Sequence, residues 1–444
     1  MPAVRLLFRS KSGLTAELLQ LAWPLIVSNL AYVLLGIVDT VYMGRVGAVE
    51  VGAVGLASNA VLTLMLLFRG TLETLPIFGA RALGAGDPAG FRRWYSVYLA
   101  LALLLGTVLA LSGPSLLQAL LRLLGTDPQV VGPVLIYGTI RMYEAPLHLL
   151  ATVNGQAFVS SGDTRTPMRI AWAMVLLNAL LAYLFVFGLG WGIAGAGWAT
   201  FLAVAFQAGL SQVLLWRRFG PLLPGLPRRA ELLKIVTVGV PVGLSTLAIS
   251  AAFTTFNGLI SRLGPLELAA SQIAQQLAAF GFMPAFALSV AASTLVARAL
   301  GERRPDRARR IGWRGAGVAA VLMGLLGLLF WTVPVPLLSL FTDRQEVWPL
   351  GSQVLRIMAI YQVMDAVAIV LGGTLAGAGD TRFRLMISLL GSWGVMVLPA
   401  SYLLSHGYGL TAAWTAALVY IAFAALAFGG RFWSGRWLRY GAAL

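Results

Sequence analysis

Twelve apolar segments occupy most of this chain of 444 residues, and each is long enough to cross a membrane as a helix. A hydrocarbon core of about 30 Å needs on the order of 20 helical residues. Only 11% of the residues are charged, and alternating strands typical of membrane β-barrels are absent. The sequence therefore predicts an all-α polytopic membrane protein. The segments are 14–43, 49–80, 94–113, 130–160, 167–189, 192–216, 232–260, 267–297, 314–340, 346–376, 385–405 and 409–430.

The basic residues predict how these helices are oriented. Most of the 32 Lys and Arg residues lie at the two termini and in the even-numbered connections, such as the arginine-rich segment 298–314. Positive charge marks the cytoplasmic side, so both termini are predicted to be cytoplasmic, in a multi-pass protein of the cell (plasma or inner) membrane. The N-terminal residues show no cleavable signal sequence, so we expect the first segment to remain as a span. The net charge of +16 then needs no nucleic-acid partner.

The chain repeats itself at an offset of 217 residues. GRVGAVEVGA (44–53) aligns with SRLGPLELAA (261–270), ARALG occurs at 80–84 and 297–301, and GDTR occurs at 162–165 and 379–382. We therefore predict two homologous six-helix lobes, an N-lobe (1–216) and a C-lobe (231–444), joined by a cytoplasmic linker (217–230). Because six is an even number, both copies enter the membrane in the same orientation, a parallel repeat found in transporters that work by alternating access. We expect the GDTR segments to make structural salt bridges.

One carboxylate, Asp39, lies inside the first apolar segment. It precedes Arg45 by six residues, which places it about 9 Å below the outer end of its helix. An ionisable group at this depth is costly and indicates a functional site, with proton exchange as the natural chemistry. The other interpretation is a structural aspartate that is hydrogen-bonded to neighbouring helices. The equivalent position in the second lobe is Phe256, so the fold itself does not require an acid there.

Two further features lie on the first two helices. Pro24 removes a backbone hydrogen bond from the helix that carries Asp39, and we interpret it as a hinge or, alternatively, as a static kink or first-turn proline. Arg69 and Glu73 are spaced i, i+4 on the second helix. They either neutralise each other as a pair, or Glu73 is a second protonatable or substrate-facing acid.

The fourth segment carries Arg141, Glu144 and His148 on one helical face. His148 is equivalent in the repeat to Asp365 on the tenth helix. These groups are candidates for lining a cavity, with Asp365 attracting a cationic substrate or taking part in ion coupling. The alternative is a structural cluster of hydrogen bonds.

The motifs resemble the MATE (multidrug and toxin extrusion) family along essentially the full length. They are LAWPLIVSNLAYVLLGIVDTVYMGRVG, ARALGAGD, GDTRTP after the fourth helix and GAGDTR after the tenth. GIVDTVYMGRVG and the arginine of LMLLFRG are similar to the DinF-like branch. The resemblance implies a twelve-helix fold of two lobes and a cation-coupled antiporter that expels amphipathic, often cationic, organic compounds.

The resemblance also implies a coupling site in the N-lobe. Asp39 matches the family's first-helix aspartate, Asn178 its helix-five asparagine and Thr200 a helix-six threonine. Leu35 and Ala182 stand where relatives carry a tyrosine and a second aspartate, and STLAISAAF (245–253) lacks the acid of the family's seventh helix. Since a hard cation needs several oxygen ligands, these departures favour H⁺ over Na⁺ as the coupling ion, with Na⁺ at Asp39, Asn178 and Thr200 as the alternative.

The sequence thus predicts a secondary active multidrug antiporter, not an enzyme, without a cofactor or resident metal and functional as a monomer. The alternative is a lipid or oligosaccharide flippase of the same superfamily, which would need cations facing its cavity, and Arg69 and Arg141 keep that hypothesis open. A membrane enzyme would need clustered acids or histidines, and neither HExxH nor a nucleotide-binding loop occurs. The major-facilitator motif is absent after the second helix.

Overall fold

A computed structural model describes residues 13–123 and 125–443 of the chain. These residues form helices and short connections and contain no β-strand. The first half consists of α1 (Leu14–Val46), α2 (Ala48–Leu72), α3 (Leu75–Gly84), α4 (Pro88–Leu123), α5 (Pro128–Tyr143), α6 (Ala145–Ser160), α7 (Arg165–Tyr183) and α8 (Gly192–Phe219). The second half consists of α9 (Arg229–Ile260), α10 (Pro265–Gly301), α11 (Pro305–Thr332), α12 (Pro334–Ser339), α13 (Val347–Gly377), α14 (Thr381–Leu389), α15 (Leu398–Ser405), α16 (Leu410–Trp433) and α17 (Leu438–Ala443). Two wide π-helical stretches, Leu184–Gly188 and Leu390–Val397, extend α7 and join α14 to α15.

The predicted membrane topology is confirmed, with one segment built differently from the rest. Among the described residues, 11 helices are long and apolar enough to cross a membrane. The remaining predicted segment, 130–160, is broken into α5 and α6, of 16 residues each. Sixteen residues of helix span about 24 Å, so neither piece alone crosses a core of about 30 Å. The break lies at Glu144, two residues before Pro146, whose ring removes a backbone N–H.

Packing divides the chain into two compact units. One is Pro24–Ile235, and the other is Val236–Leu444 together with the part of α1 before Pro24. The long helix α1 therefore changes unit at its proline. The lobe boundaries read from the repeat (1–216, 217–230 and 231–444) stay a prediction, because a repeat and a packing unit divide a chain by different criteria.

Small side chains form the core of the first unit. Ala57 and Ala196 are fully buried in one cluster with Met43, Leu117 and Tyr137. Small residues allow helix backbones to approach closely, which is the main source of helix packing in a lipid environment. This cluster joins α1, α2, α4, α5 and α8 and surrounds the outer part of α1 that carries Asp39.

Gly106 of α4 allows the α5–α6 break to pack against α4. A Cβ atom built on Gly106 would lie only 2.4 Å from the Cα of Pro146. A side chain there would have to push the backbone of the break away. The position of Glu144 therefore depends on a glycine on the neighbouring helix.

Salt bridges at helix ends hold each unit together. Asp163 binds Arg218 at 2.8 Å in the first unit, and Asp380 binds Arg431 at 2.7 Å in the second. The aspartates of the two GDTR segments are thus paired as predicted, although their partners come from α8 and α16. In the second unit the first turn of α1 is anchored by Glu17, which Arg307 binds at 2.9 Å.

Candidate functional site

Asp39 lies on α1 inside the first unit, with 5% of its surface exposed. The hydroxyl of Tyr137 on α5 donates to its Oδ2 at 3.3 Å, and the hydroxyl of Thr200 on α8 lies 3.5 Å from the same atom. Both contacts are longer than the ordinary O–H···O bond of about 2.5–3.0 Å. Its Oδ1 is buried and has no hydrogen-bond partner among the described residues. The carboxylate is therefore enclosed but loosely held.

Thr200 connects the three residues that were predicted to form the site. The side-chain amide of Asn178 on α7 donates to Thr200 Oγ1 at 3.1 Å, while Oγ1 itself lies 3.0 Å from the carbonyl oxygen of Ala196. A hydroxyl has one proton, so Thr200 can donate either to that carbonyl or to Asp39. The carbonyl oxygen of Asn178 is also buried without a partner in the described part of the chain.

The structure shows what occupies the two positions where acid or hydroxyl groups were expected and not found. Ala182 is fully buried, and Leu35 packs against a small apolar cluster that contains Ala31 and Met174. Tyr137 supplies a hydroxyl to Asp39 instead. Sequence reasoning missed this tyrosine, although it precedes Arg141 by one helical turn and so lies on the face that was already singled out.

Arg141, Glu144 and His148 meet at the α5–α6 break. The guanidinium of Arg141 forms a short ion pair with Glu144, and His148 Nδ1 lies 3.4 Å from the other Glu144 oxygen. The Glu144 side chain is 0% exposed, against 16% for Arg141 and 25% for His148. Both Arg141 and Glu144 interact electrostatically with Asp39. The two predicted groups of the N-lobe are therefore one charged network.

Arg69 and Glu73 form the predicted ion pair on one face at the end of α2. Arg69 Nε lies 2.8 Å from Glu73 Oε1, and about two fifths of each side chain is exposed. Neither residue belongs to the electrostatic surroundings of Asp39. The structure thus brings these two candidates to each other and not to the Asp39 network.

Asp365 on α13 lies in a different setting, at a cavity of about 410 Å³ inside the second unit. No hydrogen bond or ion pair of its carboxylate occurs among the described residues. Aromatic side chains dominate the wall, and Arg384 of α14 is its other charged group. The lining includes Phe253, Phe282, Tyr361, Trp414, Tyr420 and Phe428.

The repeat-equivalent of Asp39 has a purely structural role in the second unit. Phe256 is fully buried and packs edge-on against Trp414, with ring centroids 5.3 Å apart. The indole N–H of Trp414 is buried without a partner in the described structure. The cavity therefore offers one acceptor group, Asp365, and one unused donor.

Pro24 lies well inside α1, because the helix begins at Leu14. The first-turn alternative is thereby wrong. Its missing N–H leaves the carbonyl of Gln20 without the usual helical donor, while the hydroxyl of Ser28 donates to the Pro24 carbonyl at 2.8 Å. The helix is locally weakened at the residue where it passes from one packing unit to the other.

The comparisons with known proteins agree with this geometry. The sequence profile of the MatE family matches residues 24–184 and 241–403, so the two matches begin 217 residues apart, at the offset of the internal repeat. Together they cover well over half of the chain. The assignment to a DinF-like branch stays a prediction.

Curated relatives are similar along nearly their whole length. A probable multidrug resistance protein NorM of Aromatoleum aromaticum is 29% identical, with 95% of this chain and 94% of the relative covered. A protein of the same name from Thermotoga maritima is 27% identical, with 95% and 92% covered. A crystal structure of MATE in a bent conformation shares the fold, with a TM-score of 0.90, 21% identity and coverage of 100% of this chain and 98% of the other.

Proposed function

Because the chain belongs to the MatE family of membrane transporters, we propose that it is a secondary active multidrug antiporter of the cell membrane that exports amphipathic organic cations in exchange for H⁺. The names of its relatives support multidrug efflux. The observation that carries the coupling is the enclosed carboxylate of Asp39, whose Oδ1 lacks a partner in the described structure. Asp39 binds the proton, and alternating access of the two lobes exposes it to each side in turn.

The surroundings of Asp39 favour a proton over Na⁺. Its neighbours Tyr137, Thr200 and Asn178 are uncharged, and Ala182 supplies no second carboxylate. A hard cation needs several oxygen ligands with more negative charge than one carboxylate. A proton needs only one oxygen, and protonated Asp39 would gain an acceptor in the unused Asn178 oxygen. No resident cofactor is part of the proposal.

Asp365 provides the site for the cationic group of the substrate. Its carboxylate faces a cavity whose aromatic rings can stack on flat molecules and contact cations through their faces. Such contacts tolerate different shapes, which suits a transporter of many compounds. The functional unit is proposed to be a monomer.

The flippase alternative has one supporting observation. A lipid or oligosaccharide phosphate would need a cation at a cavity, and Arg384 lines the cavity of the second unit. Arg69 and Arg141, which had kept that hypothesis open, each bind a carboxylate. We therefore place the antiporter first.

Reconstituted proteoliposomes test the proposal. An imposed pH gradient should drive movement of the fluorescent cation ethidium without Na⁺, and Asp39→Asn should insert normally but lose this transport. Asp343→Asn, which changes an exposed carboxylate in a connection, is the matched control. Strict dependence on Na⁺, or full transport by Asp39→Asn, would refute H⁺ coupling at Asp39. Scrambling of labelled lipid in the same vesicles would favour the flippase.

A further inference from the structure

The α5–α6 break holds a pair of opposite charges beside Asp39. The break brings Arg141, in the last turn of α5, against Glu144, which ends α5 and precedes α6. The pair is buried, with side-chain exposures of 16% and 0%. Because a guanidinium stays protonated in proteins, Arg141 is a permanent positive charge in the interior of the first unit.

Each member of the pair acts on Asp39 with opposite sign. Arg141 attracts its carboxylate and thereby favours proton release, whereas Glu144 repels the carboxylate and favours retention of the proton. Tyr137, also on α5, is the other titratable group that acts on Asp39. The neighbours from α7 and α8, Asn178 and Thr200, carry no charge.

Glu144 is itself held from two sides. Arg141 binds one oxygen, and His148 of α6 lies 3.4 Å from the other. Loss of either member of the Arg141–Glu144 pair would leave the other as an uncompensated buried charge. The effect on Asp39 would then be large and of predictable sign.

We propose that Arg141 and Glu144 form a built-in charge pair that sets the pH range over which Asp39 exchanges its proton. Both act as positioning residues, because they influence Asp39 through space and need no contact with the substrate. The proposal rests on the proposed function, since it assumes that Asp39 is the coupling carboxylate. It assigns to the break in the fourth membrane segment a role beyond packing.

The test is the pH dependence of ethidium transport in proteoliposomes at a constant pH difference. Arg141→Gln should move the pH of half-maximal rate upward by about one unit, because Asp39 loses its attracting charge. Glu144→Gln should move it downward by a similar amount, because Arg141 is then uncompensated. Arg141→Lys should stay close to wild type, and the double variant Arg141→Gln/Glu144→Gln should return toward it.

A structural role alone would not give shifts of opposite sign. The matched control is the salt bridge of Asp163 with Arg218, whose variants Asp163→Asn and Arg218→Gln should leave the midpoint unchanged. Shifts of the same direction, or unchanged midpoints in both single variants, would overturn the proposal. If Arg141→Gln fails to insert, the nearly isosteric Glu144→Gln decides alone, and anything but a downward shift overturns the proposal.

The failure of this inference is distinguishable from that of the proposed function. If wild-type protein shows no response to a pH gradient, H⁺ coupling itself is wrong. If the wild type is driven by protons and Asp39→Asn is inactive while the charge variants keep the wild-type midpoint, only the role of the pair is refuted.

Discussion

The two units each contain one membrane-depth aspartate without a direct ion-pair partner, and their surroundings differ in kind. Asp39 is 5% exposed and lies among hydroxyl, amide and charged groups from four helices. Asp365 lies at an aromatic cavity of about 410 Å³. An enclosed polar network has room for a proton and can tune its binding, whereas an aromatic cavity has room for an organic cation. We conclude that duplication produced two scaffolds, which then took up different tasks.

The comparison is tested most strongly by neutralising each acid in turn. Asp39→Asn should lower proton-driven transport at least a hundredfold, because no carboxylate remains to carry the proton. Asp365→Asn should raise the KM for ethidium about tenfold, since a contact with a charged group is worth about 1.5–3 kcal/mol. Initial rates over a range of ethidium concentrations separate the two effects. Loss of proton drive in Asp365→Asn would move the coupling to the second unit.

The next largest effect is expected at the close approach of α4 to the α5–α6 break. Gly106→Ala should lower the stability of the first unit by about 1–3 kcal/mol, because its Cβ meets the backbone of Pro146. Thermal unfolding of the purified protein in detergent measures this change. Gly55→Ala is the control, since a Cβ at Gly55 meets nothing within 4 Å. Equal unfolding midpoints for both variants would mean that the break can move freely.

A smaller effect should distinguish the two interior prolines. Pro24→Ala restores a backbone N–H opposite the Gln20 carbonyl and stiffens α1, so we expect turnover to fall about fivefold with an unchanged KM. Pro241→Ala changes the equivalent residue of α9, whose helix carries Phe256 in place of the acid. It should leave turnover nearly unchanged. Similar losses in both variants would indicate static kinks and would remove Pro24 as a hinge.

The smallest effect concerns single hydroxyl groups. Tyr137→Phe removes the donor to Asp39 Oδ2, so the carboxylate should keep its proton to higher pH. One hydrogen bond contributes about 0.5–1.5 kcal/mol, which corresponds to a rise of roughly half to one unit in the pH of half-maximal transport. Tyr420→Phe, at the cavity of Asp365, should not change this pH. A shift in Tyr420→Phe alone would reverse the assignment of the two units.

Much of the fold could be predicted from the sequence, because membrane helices are specified locally. Length, hydropathy and the distribution of Arg and Lys determined the spans and their orientation, and the offset of 217 residues revealed the repeat. Pairs within one helix, such as Arg69 with Glu73 and Arg141 with Glu144, could be predicted as well. Helical spacing alone places such residues on one face.

Tertiary structure decided which helices face one another, and hence which groups surround each acid. It placed the Tyr137 hydroxyl beside Asp39, made Thr200 the link to Asn178, and left Asp365 at a cavity. These contacts join residues about 20 to 160 positions apart in the chain. They depend on small residues that allow close helix packing and on a break that a proline permits. The sequence by itself determined the membrane helices and the isolated acids, and the packing of those helices decided what each acid can bind.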